Sequence, residues 1–500
     1  MLKMFGVGKP DHPLADPREA RRILEALPPQ DLKALEELAH WHESASAAEG
    51  FKPAERMQVL ASIDEAAQTR VRKLGRDYFG AARPSRYQEN LMWTQLHEYW
   101  RQAAMAWARA MDQVLQAKGA DAKSVAAPAA RALRAFGQQI KWQHMRYGPI
   151  DPAVWGTLNK MYSVAESRGA ADVKVSLAVG GLTLETSPRQ EFLKVALFSA
   201  SSPDGLVPLE VELAERLVGD LAPSFRMGSE PSLELLYWTD LEKSMSPQRA
   251  TKTPPQSAAM RCFGPGEALK TLEGHVQKIR ATRQVPSGIN LGGTYEADVV
   301  LEVMEHLALY WAPDPPERQH ARHPVKSRIA VTNGFKAVVD MLGGDTLAFD
   351  GSGSESWIVE NVSAGGFGAA VPHIKGDWLR VGVLLAMQPD GGTNWVVGIV
   401  RRVNRVSNQE ARVGIQTISR APRALSFTLR GAGQHSGLLL PSPVLGSGEV
   451  SIALPASVYA KGVNLEAEVD GKHHVYMPIG APERGEDYEL VRFREMIREA

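Results

Sequence analysis

The chain has 500 residues, 44% of them hydrophobic and 23% charged, and 57 basic side chains balance 57 acidic ones to a formal net charge of zero. That length is too great for one compact core and predicts roughly two to four domains. The balance gives no global reason to expect nucleic acid or an anionic membrane as partner, and a lone cysteine, Cys262, excludes an intramolecular disulfide and a cysteine-rich metal site.

The first residues, MLKMFGVGKPDHPLADPREARR, lack the continuous apolar stretch of a secretory signal. No run of about 18 apolar residues follows. The expectation is a soluble, cytoplasmic protein, and the abundance of Ala, Arg and Gly fits a bacterial source. Residues 1–165 read as a helical domain. Leu32, Leu35, Leu38 and Trp41 share one face, and Trp93, Leu96, Trp100, Trp107 and Met111 recur at helical spacing. Such a stripe is expected to be core. Residues 166–312 read as a mixed α/β domain. Val173, Val175, Leu177 and Val179 alternate up to Gly180-Gly181, a hairpin turn, and Leu182 and Leu184 continue the pattern. QEFLKVALFSA and LEVELAERLVGDL read as helices, SLELLYWTDL as a strand, and TYEADVVLEVMEHLALYW as a helix ended by APDPPER.

From about residue 318 the texture changes to short apolar runs separated by Gly, Pro, Asn and Asp, such as SRIAVTN, FKAVVDML, SWIVENV, WLRVGVLLAM and NWVVGIVRRV. This predicts a small antiparallel barrel over 313–420. A β-rich extension over 421–500 follows, with its last segment, DYELVRFREMIREA, read as a strand and a short helix.

Two motifs in this region carry chemistry. ERQHARHPVKSR places Arg318, Arg322, Lys326 and Arg328 against one carboxylate, Glu317, just ahead of the first strand. A guanidinium suits a phosphate or a guanine edge because it donates two parallel hydrogen bonds and can stack on a base. The second motif, Asn361-Val-Ser-Ala-Gly-Gly366, lies between two strand-like runs. Together, Arg-x-x-x-Arg (318–322) and Asn-x-Ser-x-x-Gly (361–366) resemble the PilZ domain, the bacterial receptor module for cyclic di-GMP. The resemblance covers about 318–420. It implies that Arg318 and Arg322 bind phosphate and stack on guanine, that Asn361 and Ser363 hydrogen-bond the ligand, and that Gly366 admits close approach or a positive φ. The separation of the motifs is longer than the family pattern, which points to an enlarged loop in MLGGDTLAFDGSGSES. Glu317 stands where many family members carry another basic residue, which leaves the ligand stoichiometry open.

Other signals carry less. GVGKP at 6–10 lacks the spacing of a phosphate-binding loop. The histidine pairs 40/42, 320/323 and 473/474 have no third ligand nearby, so no metal is expected. GSGSES at 351–356 is not a nucleophile elbow, and no catalytic constellation or cofactor motif is found. Arg401, Arg402, Arg405 and Arg412 form a second basic group, and strand alternation would split Arg401 and Arg402 between faces. No aromatic row interleaves with them, so nucleic acid is the weaker partner.

The reading is therefore a multidomain α+β protein: a helical N-terminal domain, a mixed α/β middle domain, a PilZ-like barrel and a β-rich extension. Its expected function is a non-enzymatic receptor for cyclic di-GMP, in which the ligand orders the arginine arm and shifts the upstream domains. A protein partner would act through the N-terminal or middle domain, with no membrane insertion. The alternatives are an interaction scaffold that binds no nucleotide, or an enzyme in the middle domain regulated by the barrel.

Overall fold

The computed structural model describes residues 10–80, 84–179, 182–250, 257–314, 320–344, 354–429, 433–441 and 448–498. The chain divides into two compact units. One is drawn from residues up to 316; the other holds 317–500 with the short segments Tyr147–Pro149 and Asp204–Val207.

The first unit opens with helices α1 (Pro17–Glu25), α2 (Asp31–Ala47), α3 (Pro53–Tyr78), α4 (Arg86–Gln116), α5 (Ala122–His144) and α6 (Pro152–Ser167). At the start of α4, Ser85 and Gln88 satisfy each other's backbone amides in a capping box. Leu96, Trp100, Trp107 and Met111 of its stripe are buried. Trp93 is half-buried and donates its indole N–H to the Trp142 carbonyl at 2.6 Å. A buried carboxylate ties four of these helices. Asp64 of α3 accepts from Trp107 Nε1 and Arg131 Nη1, both at 2.9 Å, and lies 3.1 Å from His42 Nε2. Burial alone would raise the Asp64 carboxyl, but the His42 hydrogen bond and the charges of His42 and Arg131 outweigh it and hold the group below its usual range.

The hairpin β1 (Val175–Val179) and β2 (Leu182–Thr186) forms at the expected strands; the glycine pair at 180–181 lies outside the described residues. Helices α7 (Pro188–Ala200) and α8 (Pro208–Leu221) follow, then strands β3 (Arg226–Gly228), β4 (Tyr237–Asp240), β5 (Gln248–Arg249) and β6 (Met260–Gly264) in the order β3-β6-β4-β5. Cys262 is buried in β6. Helix α9 (Ala268–Thr282) leads to α10 (Ala297–Trp311), which stops before the predicted proline run. No described helix is long and apolar enough to cross a membrane.

In the second unit, β7 (His323–Asn333), β8 (Glu355–Ser363), β9 (Gly366–Val371), β10 (Leu384–Pro389), β11 (Val396–Arg405) and β12 (Ala411–Ser419) close into a barrel in the order β10-β11-β12-β9-β8-β7. Period-two patterning sets its inner face: Ala411, Val413 and Ile415 of β12 join Trp357, Val359, Ala369, Val400 and Val403 in the core. Trp357 stacks on Trp378, and both indole N–H groups donate to the Glu355 carboxylate at 3.0 Å. FKAVVDML, expected as a strand-like run, is instead helix α11 (Phe335–Gly343), between β7 and β8. Its Phe335, Val338 and Val339 are buried at helical spacing, and the Phe335 amide donates to Asp487 Oδ2 at 2.8 Å. This helix lies between the two motifs, and most of the enlarged loop expected there, residues 345–353, falls outside the described residues.

The expected β-rich extension closes on itself. Strands β13 (Arg423–Leu429), β14 (Gly433–Leu440), β15 (Glu449–Pro455), β16 (Leu465–Val469), β17 (Lys472–Pro478) and β19 (Tyr488–Arg498), with the short β18 (Glu483–Arg484) at its side, are sealed by pairing of β15 with β19. Both barrels follow one plan: strands one to three and four to six are meanders, the third pairs with the sixth, and the first with the fourth. Over Tyr488–Arg498 the final segment is strand rather than strand and helix, because Val491 and Phe493 alternate inward against exposed Arg492 and Arg494. Between the barrels lies an apolar layer in which Leu384, Ala386, Val397 and Ile399 of the first meet Leu438, Leu440 and Ala453 of the second around α11.

Candidate functional site

The second sequence motif occupies the end of β8, a two-residue turn and the start of β9. Ser363 pairs with Gly366 across the turn, and the Ser363 hydroxyl donates to the Gly366 carbonyl at 3.0 Å. The Thr417 amide donates to the Gly365 carbonyl, also at 3.0 Å, so β12 holds the turn from the far side. A Cβ on Gly366 would stand 2.0 Å from the Ile415 carbonyl oxygen. Glycine is thus required here for the approach of β9 to β12.

Asn361 lies on the outward face of β8. A bulge between Val359 and Asn361 leaves Glu360 unpaired, which re-aims the strand while Val359 stays in the core. Asn361 pairs with Pro324 on one side and Gly368 on the other; Gly368 pairs with Gly414, and Gly414 with Arg402. Asparagine and arginine therefore flank a pair of glycines along one row, and the absent side chains leave a shallow floor. At Gly368 the Asn361 amide fills the space a side chain would need, 2.8 Å from an ideal Cβ. At Gly414 the nearest atom to such a Cβ is Arg402 Cβ at 3.4 Å. Asn361 Oδ1 is buried and has no hydrogen-bond partner among the described residues. An orphaned acceptor of this kind costs about 1–3 kcal/mol, and it marks a position where a donor would be stabilising.

The arm reaches the same place by backbone pairing. His323 pairs with Val362, so the exposed Arg322 enters beside the motif. The His320 ring lies against Gly365, with Cδ2 3.1 Å from an ideal Cβ there. Arg318 and Glu317 fall outside the described residues. The structure thus brings together Arg322, Asn361, Ser363 and Gly366.

Arg401 and Arg402 are not split between faces. A bulge between Val400 and Arg402 keeps both Val400 and Val403 in the core and turns both arginines outward. Arg401 donates to Gln416 Oε1 at 2.7 Å and pairs with Glu483; Arg402 pairs with Asp204; Arg412 Nε lies 3.6 Å from Glu360 Oε1. The rim is therefore basic but largely ion-paired. Sequence reading missed the Gly368–Gly414 floor and Arg420, whose Nη2 donates to the Ala364 carbonyl at 3.3 Å. A glycine inside each strand pattern was the available signal; the register that aligns the two was not.

Among the described residues no group of His, Cys, Asp or Glu is arranged to hold a metal ion. The prominent buried carboxylates of the first unit are ion-paired, Glu212 with Lys141 at 2.8 Å and Glu191 with Lys194 at 3.2 Å.

Two family models match the chain. The model described as the cyclic-di-GMP receptor FimW, N-terminal domain, matches residues 18–232, and that described as the cyclic-di-GMP receptor FimW, middle PilZ domain, matches 354–424. They stand in the order their names give and together span more than half the chain. The second match contains Asn361, Ser363 and Gly366 and begins after the arm. No curated protein matches the chain.

Proposed function

Since the chain belongs to the PilZ-domain receptor family, we propose that it is a receptor for cyclic di-GMP and that the ligand sits on the outward face of β8 and β9. The observation that carries this reading is the motif turn. Asn361, Ser363 and Gly366 stand together on one strand connection, beside a glycine floor, with an acceptor that has no partner among the described residues. The ligand offers two phosphates to cations and two purines with N–H edges to acceptors.

In this mechanism Arg322, with Arg318 ahead of it, supplies charge-assisted hydrogen bonds to phosphate and stacks on guanine. Asn361 accepts from the ligand through its free Oδ1. Ser363 fixes the turn and presents its hydroxyl oxygen. The arm folds over the bound nucleotide, and that ordering is the signal passed to the upstream helical and mixed regions. The protein then works by binding rather than by turnover.

Calorimetric titration of cyclic di-GMP into the full chain tests the reading, with Arg322→Ala and Ser363→Ala alongside. Loss of a hydrogen bond to a charged group, about 1.5–3 kcal/mol, predicts roughly 10- to 150-fold weaker binding for Arg322→Ala. Ser363→Ala should lose somewhat less, about 1 kcal/mol. Absence of heat with the parent chain would leave the non-binding scaffold as the better reading.

A further inference from the structure

Arg420 stands in the short linker between the barrels, three residues before β13 opens the second one. Its side chain does not turn toward the second barrel. It reaches the motif turn of the first, where Nη2 donates to the Ala364 carbonyl at 3.3 Å. The same two-residue turn is met from the other side by His320, against Gly365. The turn is therefore held between the arm that precedes the first barrel and the linker that precedes the second.

Arg420 is exposed, and among the described residues that one long bond is its only hydrogen bond. A guanidinium carries five N–H donors in a fixed fork. One weak bond at the edge of the hydrogen-bonding range leaves most of that capacity directed at solvent beside the site. Arg423, by contrast, is paired with Asp470 at 3.0 Å, and Arg401 and Arg402 are also paired with carboxylates.

The common plan of the barrels sharpens the comparison. Arg322 stands one residue before the opening strand of the first barrel, and Arg420 stands just before the opening strand of the second. In the second barrel the corresponding outward face, at Leu438, Leu440 and Ala453, is buried in the layer between barrels. The arginine at the entrance of the second barrel has no ligand face of its own to serve, and it extends to the face that is open. We propose that Arg420 is a ligand-contacting arginine of the first barrel's site, binding the phosphate or the guanine edge from the side opposite Arg322. The inference rests on the receptor reading above.

The test is titration of cyclic di-GMP into the full chain carrying Arg420→Ala or Arg420→Gln, with Arg322→Ala and Arg423→Ala as references. Arg420→Gln keeps a donor for the Ala364 carbonyl and loses the charge. The expected result is roughly tenfold to a hundredfold weaker binding for both Arg420 variants, with Arg423→Ala binding like the parent. Parent-like affinity in Arg420→Ala overturns the proposal. So does Gln restoring parent affinity, because Arg420 would then only brace the turn. If the parent and Arg423→Ala bind, Arg322→Ala does not, and both Arg420 variants bind normally, this inference fails while the receptor reading stands. If the parent itself does not bind, both fall. Because Arg420 is exposed, its variants should melt with the parent, which keeps affinity separate from folding.

Discussion

The two barrels share a strand order and differ in what the outward face of the second and third strands meets. In the first barrel that face carries Asn361, Gly366 and Gly368, backed by Gly414 on the next strand. It is polar, poor in side chains and holds a buried acceptor without a partner among the described residues. In the second barrel the face carries Leu438, Leu440 and Ala453, all fully buried against α11 and strands β10 and β11. One topology thus yields a candidate binding site in one copy and a structural interface in the other. The choice is made by a few outward residues, while the inner faces remain ordinary alternating apolar sets.

The largest expected effect lies on the covered face. Leu438→Ala should destabilise the second unit by about 2–5 kcal/mol, the range for emptying a buried leucine site, read as a shift of the urea midpoint. A smaller loss would mean that the layer between the barrels can relax. Next come the glycines at the entrance to the third strand of each barrel, Gly366 as its first residue and Gly448 just before it. Gly366→Ala forces a Cβ to 2.0 Å from the Ile415 oxygen and should cost about 2–3 kcal/mol. Gly448→Ala meets open space at φ +75° and should cost about 1 kcal/mol. Equal losses at the two positions would remove the distinction drawn here. The smallest effect is the most diagnostic. Asn361→Ala removes an acceptor that has no partner among the described residues, so stability should be unchanged or rise by up to about 1 kcal/mol, while affinity for cyclic di-GMP falls. A clear loss of stability in that variant would make Asn361 a structural residue.

Much of this was legible in the chain. Helical stripes such as Leu96, Trp100, Trp107 and Met111 are long enough for their period to be unambiguous. The motif turn was legible because a serine, a glycine pair and two strand patterns coincide locally. FKAVVDML was not, since a short apolar run fits strand and helix alike, and only burial of Phe335, Val338 and Val339 on one side decides it. The charged, Met-containing tail suggested a helix, although Val491 and Phe493 already alternated. Closure of the second barrel depends on β15 meeting β19, a pairing between distant segments that no local pattern encodes. The same holds for the glycine floor. Gly368 and Gly414 are 46 positions apart and become neighbours only through the β9–β12 register.

The apolar layer between the barrels also bears on how the chain can be divided. Residues 354–424 form a recognisable stretch in sequence, yet a fragment ending there would retain Leu384, Ala386, Val397 and Ile399 without Leu438, Leu440 and Ala453 to cover them. Those side chains would be left as a contiguous oily patch of the kind that drives self-association. A fragment that kept the first barrel covered would have to carry the second barrel with it, together with Tyr147 from far upstream, whose side chain belongs to the first barrel's core.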